Sequence, residues 1–192
     1  MSDLLELAID AHGGWQRWSQ LSSLSSHLSA GGGILPDKGV AGMLADATVR
    51  IDTRQPHTDY TPFMVPGQRG VWDPGRTQLL DEGGQVLSVR DDPRAAFAGH
   101  SIPTPWDAHH ALYFSGYAMW TYLSTPFLFR MPGFDVREVE PYEENGEVWR
   151  RLRVRFPDHV PSHCTEQTFY FDATGLLRRQ DYSVDIMGGT NS

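Results

Sequence analysis

The chain has 192 residues, 40% of them hydrophobic and 21% charged, a length and balance that fit the ~100–200 residues of one ordinary globular domain. Sixteen basic against 24 acidic residues leave a formal charge of −8 and a pI near 5.4, so no long-range field draws the chain to nucleic acid or to an anionic membrane. The opening MSDLLELAID lacks a basic stretch before an apolar run, no segment reaches the ~18 apolar residues of a membrane span, and the lone Cys164 excludes an internal disulfide and a thiolate metal cluster. These features lead us to expect a single cytoplasmic domain over 1–192.

From Asp3 to Trp18, the residues Leu4, Leu7, Ala8, Ala11, Trp15 and Trp18 recur at helical spacing, which predicts an amphipathic helix with one buried stripe. Gly13 and Gly14 divide it, and the pair predicts a helix end followed by a second short turn carrying Trp15 and Trp18. Leu21 to Ile34 reads as a solvent-facing strand that closes on Gly31, Gly32 and Gly33. In ATVRIDT, Val49 and Ile51 alternate with Arg50 and Asp52, the pattern of a half-buried strand. GVWD and TQLLDEGGQVLSV read as hairpin strands, with Gly83-Gly84 supplying the turn.

Two helix starts follow. Asp92-Pro93 predicts a short helix through Ala98, and Thr104-Pro105-Trp106-Asp107 predicts another over 105–123, with Thr104 as its N-cap and Asp107 as the capping-box acid. That second segment, WDAHHALYFSGYAMWTYL, has almost no polar face and must be covered on several sides. A second meander then runs through FDVREVEPY, EVWRRLRVRF, TEQTFYFD and LLRRQDYSVDIM, with turns at ENG and ATG. Within it Leu152, Val154 and Phe156 alternate with Arg151, Arg153 and Arg155, giving one core face and one arginine face that Glu138, Glu140 and Glu166 are placed to neutralise. The expected fold class is α+β, mainly antiparallel β: a curved sheet or half-barrel whose concave face is covered by the helices.

The aromatic strand, Asp, Thr-Gly turn and basic strand formed by Phe169, Tyr170, Phe171, Asp172, Thr174, Gly175, Leu176, Leu177, Arg178 and Arg179, together with the opening AHGGWQRWSQLSSL, resemble uncharacterised bacterial proteins near the outer-membrane lipoprotein carrier superfamily. The resemblance covers most of the chain as a topology and about 25 residues as letters. It implies a half-barrel cavity for a hydrophobic molecule, with the helices as a lid. The chain departs from the exported carriers in lacking a signal, and it stops at IMGGTNS just after a strand, so we expect either a C-terminally incomplete chain or a sheet edge that needs cover.

Three functional readings result. In the first, a hydrophobic small molecule or lipid acyl chain is held by Trp106, Tyr113, Tyr117, Trp120, Phe127 and Phe129, whose phenol and indole groups orient it; ordinary core packing explains the same rings without a ligand. The second is an isomerase, cyclase or hydrolase in the same cavity, because Asp107, His110 and Tyr113 fall on one helix face at three-residue intervals. There Asp107 would orient His110 as a general base and Tyr113 would donate a proton, although Asp107 is equally suited to capping the helix. The third is a partner module, a homodimer formed through the edge strand 176–186. His159 and His163 have the i, i+4 spacing of a helical metal pair, but Pro157 and Pro161 argue against a helix there. No metal is therefore expected. No GxGxxG or GxxxxGK motif is present, and no cofactor is expected either.

Overall fold

The computed structural model describes residues 3–188 and 190–191. As the paired glycines require, α1 (Asp3–Ala11) stops where Gly13 and Gly14 take positive φ angles of 109° and 84°, and α2 (Trp15–Trp18) restarts beyond them. The buried stripe of α1 is Leu4, Leu5, Ala8 and Ile9; Leu7 and Ala11 lie at its margin. Contacts beyond this segment gather into two compact units, one built from residues 22–123 with 186–188 and the other from 3–21 and 124–185 with 190–191.

The first of these units is an antiparallel sheet of β1 (Ser23–Leu28), β2 (Ala47–Asp52), β3 (Thr58–Thr61), β4 (Arg69–Asp73), β5 (Arg76–Leu80) and β6 (Val86–Asp91), paired in chain order. In β2 the expected alternation holds: Val49 and Ile51 are buried, while Thr48 and Arg50 are exposed. Four-residue β3, between Pro56 and Pro62, is too short to show a period. Its place is set by register with β2 and β4, Tyr60 lying opposite both Val49 and Gly70.

Helix α3 (Ala108–Ser124) crosses one face of this sheet, and each strand from β2 to β6 touches it. At its start Arg90 of β6 reaches Asp107 with bonds of 3.0 and 2.6 Å, and Thr77 of β5 reaches His109 at 2.9 Å. In the middle, Trp72 of β4 packs against Gly116. The buried hydroxyls of Thr58 and Tyr60 on β3 donate to the carbonyls of Gly116 and Ser115 at 3.0 and 2.8 Å. Near its end, Trp120 Nε1 donates to the carbonyl of Asp52 at 3.0 Å. A buried hydroxyl costs free energy unless it finds a partner, so these bonds fix both the height and the direction of the helix.

Several boundaries differ from the sequence reading: β1 ends at Leu28, short of Gly31–Gly33, and two helix starts change. Thr104 does not cap α3: its hydroxyl accepts the N–H of Ser101 at 3.0 Å and its carbonyl accepts from the Lys38 ammonium at 3.2 Å. Asp107 is the cap instead, its Oδ1 accepting the N–H of His110 at 2.9 Å. The helix expected over 93–98 is a single 3-10 turn, Ala95–Phe97, entered through Asp92 at a φ of 45° and left before Gly99 at a φ of 76°.

The other unit carries β7 (Asp135–Glu144), β8 (Glu147–Arg155), β9 (Glu166–Phe171) and β10 (Leu177–Asp181) in the order β10-β9-β8-β7, with a short pair of β11 (Ser183–Val184) and β12 (Thr190–Asn191). Leu152, Val154 and Phe156 are buried, as the alternation predicts. The arginines find the expected partners only in part. Arg153 pairs with Glu166 at 3.6 Å, but it is Arg150 that binds Glu138 at 2.8 Å, while Arg151 donates to the backbone carbonyl of Glu140 at 2.6 Å. Glu138 stands opposite Leu152, so it shares a face with Arg150, while Arg151 and Arg153 stand opposite Val139 and Arg137. Phe127 stacks on Trp18 with ring centroids 4.2 Å apart, and Phe129 packs edge-on against Phe169 at 4.7 Å. His163 is buried and stacked on Tyr182 at 4.2 Å, and burial pushes its pKa down to about 3.

The architecture is α+β and mainly antiparallel β, and no helix among the described residues is long and apolar enough to cross a membrane. The tightest packing constraint lies at Gly116, where a Cβ would stand 2.3 Å from Cγ of Trp72. Alanine gains ~1 kcal/mol of helix propensity over glycine, yet Gly116→Ala is expected to destabilise the protein by about 1–3 kcal/mol through overpacking. Urea unfolding is the check, and a midpoint at or above that of the wild type would contradict this packing.

Candidate functional site

The start of α3 and the segment leading into it gather more polar side chains than the sheet needs. Arg90 and Asp107 form a bidentate pair. Burial opposes ionisation of Asp107, but the Arg90 guanidinium and the capped N–H of His110 outweigh it and hold the pKa at about 2. His110 Nε2 lies 3.2 Å from the carbonyl of Ala96, and its Nδ1 is 2.9 Å from Asp107 Oδ1. The proposed Asp107–His110 contact is therefore present, but both partners have other commitments: Asp107 to Arg90 and the helix cap, His110 to the 3-10 turn.

Tyr113 lies one turn further on and is fully buried. Its ring centroid stands 5.7 Å from that of Phe97, and burial raises its pKa while the Arg94 guanidinium opposes the shift. Phe97 is the hub of the cluster. It meets His110 at 4.8 Å, His100 at 5.3 Å and Trp106 at 5.9 Å, each close to edge-on, and His100 and His110 are themselves 4.7 Å apart. Edge-to-face contacts at these distances are favourable, so one phenylalanine organises the loop.

Lys38, the chain's only lysine, closes the cluster from the other side. Fully buried, it donates to the carbonyls of Ser101 and Thr104 at 2.7 and 3.2 Å and lies 5.1 Å from the Trp106 ring centroid. Burial lowers its pKa. His100 is likewise held below its usual value, first by burial and then by the positive charges of His110 and Lys38. Three polar atoms of this cluster are buried without a hydrogen-bond partner: His100 Nδ1, Trp106 Nε1 and the Tyr113 hydroxyl. All three belong to rings that touch Phe97.

The six residues expected to line a pocket fall into groups. Trp106, Tyr113 and Tyr117 are linked through Phe114, which lies 4.9 Å from Trp106 and 5.7 Å from Tyr117, and Tyr113 meets Tyr117 at 5.5 Å. Trp120 sits near the far end of α3, bonded to the backbone of Asp52. Phe127 and Phe129 belong to the core of the four-stranded unit, against Trp18 and Phe169. All six are buried. A surface depression of about 530 Å³ is lined by Asp10, Gly13, Gly14, Trp15, Arg17 and Gln20, among others, and another of about 200 Å³ by Ser22, Ser23, Arg50, Asp52, His57 and Asp59, among others. Neither is lined by the rings of α3.

Two further groupings escaped the sequence reading. His109, one residue before His110, is sandwiched between Thr77 Oγ1 at 2.9 Å and Ser88 Oγ at 2.8 Å. On the other side of the sheet from α3, His57 is bonded through Nδ1 to Asp73 at 2.7 Å and through Nε2 to Asp59 at 3.2 Å. The i, i+2 spacing of His57 and Asp59 puts both on one strand face, a signal the sequence does carry; Asp73 arrives only through the pairing of β3 with β4.

Hydrogen bonds that the ring donates to the carboxylates of Asp59 and Asp73 raise the His57 pKa from 6.5 to about 10. A base whose pKa is higher folded than unfolded stabilises the fold fully below the unfolded value and loses that contribution as pH rises through the folded one. The urea midpoint is therefore expected to fall between pH 6.5 and about 10, and His57→Gln should flatten that window. Equal slopes for the two proteins would remove the clamp from the account. Comparison of the chain with protein-family models, with curated proteins and with solved structures returned no match.

Proposed function

We propose that this protein binds a small apolar molecule carrying one polar group, seated against Phe97, Trp106 and Tyr113, and that the segment 92–107 moves aside to admit it. The observation that carries this reading is the set of buried polar atoms without partners, His100 Nδ1, Trp106 Nε1 and the Tyr113 hydroxyl, on rings that share one neighbour. Buried polar groups are nearly always hydrogen-bonded, and each exception calls for a physical reason. A ligand head group that accepts from the indole N–H and the phenol would supply it, while the aromatic faces cover an acyl chain or a ring.

Admission of the ligand requires the covering segment to release one contact. Its only regular structure is one 3-10 turn, and a bond from His110 to Ala96 latches that turn to α3. The reading keeps the ligand class that the resemblance to lipoprotein carriers implies, and the buried thiol of Cys164, held in no disulfide, suits a reducing compartment such as the cytoplasm. Acid–base catalysis by His110 with Asp107 and Tyr113 is the weaker reading, because Asp107 is already held by Arg90.

Dodecanoate, an acyl chain with one polar head, tests the proposal in solution. Its titration should shift the indole N–H resonance of Trp106 in a saturable manner, and Trp106→Phe should weaken binding about fivefold, the worth of one hydrogen bond of ~1 kcal/mol. Ligand extracted from protein purified in its host should have the same character. Saturating dodecanoate without any change at Trp106, or an unaltered Kd in Trp106→Phe, would overturn the site.

A further inference from the structure

His109 stands apart from the aromatic cluster and is placed differently from the other histidines. Its imidazole is buried and bridges two strands: Nδ1 to Thr77 Oγ1 of β5 and Nε2 to Ser88 Oγ of β6. Thr77 is fully buried, whereas Ser88 is exposed. A desolvated ring thus holds the hydroxyl of an exposed residue at 2.8 Å, within the reach expected of a nucleophile and its base.

The strand that presents Ser88 is unusual in two respects. β6 is the last strand of its sheet, so its backbone amides that point away from β5 have no ladder partner among the described residues. Its register also slips: Leu79 pairs with Ser88 but Leu80 pairs with Val86, so Leu87 is the extra residue of a bulge immediately before the serine. Bulges at sheet edges re-aim the neighbouring side chain and leave backbone groups unpaired. Leu87 and Val89, on either side of Ser88 in the chain, are exposed.

We propose that Ser88 and His109 form a nucleophile–base pair that transfers acyl groups from small esters to water, with Thr77 as a positioning residue for the imidazole. In the tautomer with its proton on Nδ1, the ring donates to Thr77 Oγ1 and accepts the Ser88 proton on Nε2. Ser88 Oγ bonds to the ester carbonyl carbon, the C–O bond to the alcohol breaks, and His109 returns the proton to the departing alkoxide. Water then attacks the acyl-serine with His109 again as base, releasing the carboxylic acid and restoring Ser88. The outward amides of β6 are the donors available to the tetrahedral oxyanion. Burial and the nearby Arg90 charge lower the His109 pKa, which keeps the ring in its neutral, basic form at neutral pH.

4-Nitrophenyl acetate, incubated with the whole chain, is the probe. The expected results are release of 4-nitrophenolate, a gain of one acetyl group in intact mass and peptide mapping of that acetyl to Ser88. Ser88→Ala, an exposed change that leaves the fold in place, should bring turnover to the buffer rate. His109→Gln should slow acylation by about 10²-fold or more. Thr77→Val should lower kcat with little change in KM, and Thr77→Ser should restore it. The proposal is overturned if folded wild-type protein releases no nitrophenolate above buffer, if Ser88→Ala retains the wild-type rate, or if the acetyl maps to Lys38 or to a histidine. It does not depend on a ligand at Phe97: failure of the ester assay with dodecanoate still bound would remove the acyl transfer alone.

Discussion

The helix-crossed unit depends on how closely α3 approaches its sheet, and that distance is set where Gly116 meets Trp72. With a side chain at 116 the helix would have to rise, since a Cβ there falls 2.3 Å from the indole. The bonds from Thr58 and Tyr60 to the helix carbonyls would then stretch, leaving hydroxyls stranded in an apolar interior. Trp120 and Arg90 pin the helix towards its two ends, so its position is overdetermined. A helix with almost no polar face can be soluble in this setting because the sheet offers it apolar surface and, at chosen points, hydroxyl donors.

This seating has an electrostatic result. It brings the start of α3, with Asp107, His109 and His110, over the outer strands, where Arg90, Ser88 and Thr77 meet them. Lys38 approaches the same neighbourhood through the carbonyls of residues 101 and 104. Positive charge and burial act in the same direction there, and His100 and His109 are both held below the ordinary histidine range. His57 is the opposite case, on the sheet's other face between two carboxylates and raised to about 10. One sheet thus separates neutral histidines from a cationic one, and the difference comes from their partners.

Much of the fold was legible in the letters. Period-two burial marked β2 and β8, the glycine pair divided α1 from α2, and the apolar run 106–123 announced a helix covered on several sides. The start of that helix was misplaced because the competition for Thr104 involves Ser101 and a lysine 66 residues away, which no local pattern records. The site was harder to read. Asp107 and His110 could be paired by helical spacing, but Phe97 as hub arises from the segment 92–107 folding back on α3, and His109 as bridge from contacts with two strands. Thr77 and Ser88 lie 32 and 21 residues from the histidine they share, and only the crossing of α3 over β5 and β6 joins them. Arg151 shows the same limit in the other unit, where the register sets it opposite Val139 and not opposite a glutamate.

The order in which the crossing helix is made also matters. All six strands of the sheet precede α3 in the chain, while the hydroxyls on β3 wait for acceptors 58 and 55 residues further on. During synthesis the strands are therefore complete while the face that α3 will cover is still bare, with Trp72, Tyr60 and Val49 open to water. Folding of this unit cannot proceed hairpin by hairpin to a stable end; it closes late, over long sequence separations, as in slow-folding topologies. Until residue 124 has left the ribosome, this half-finished sheet is the kind of surface that chaperones bind.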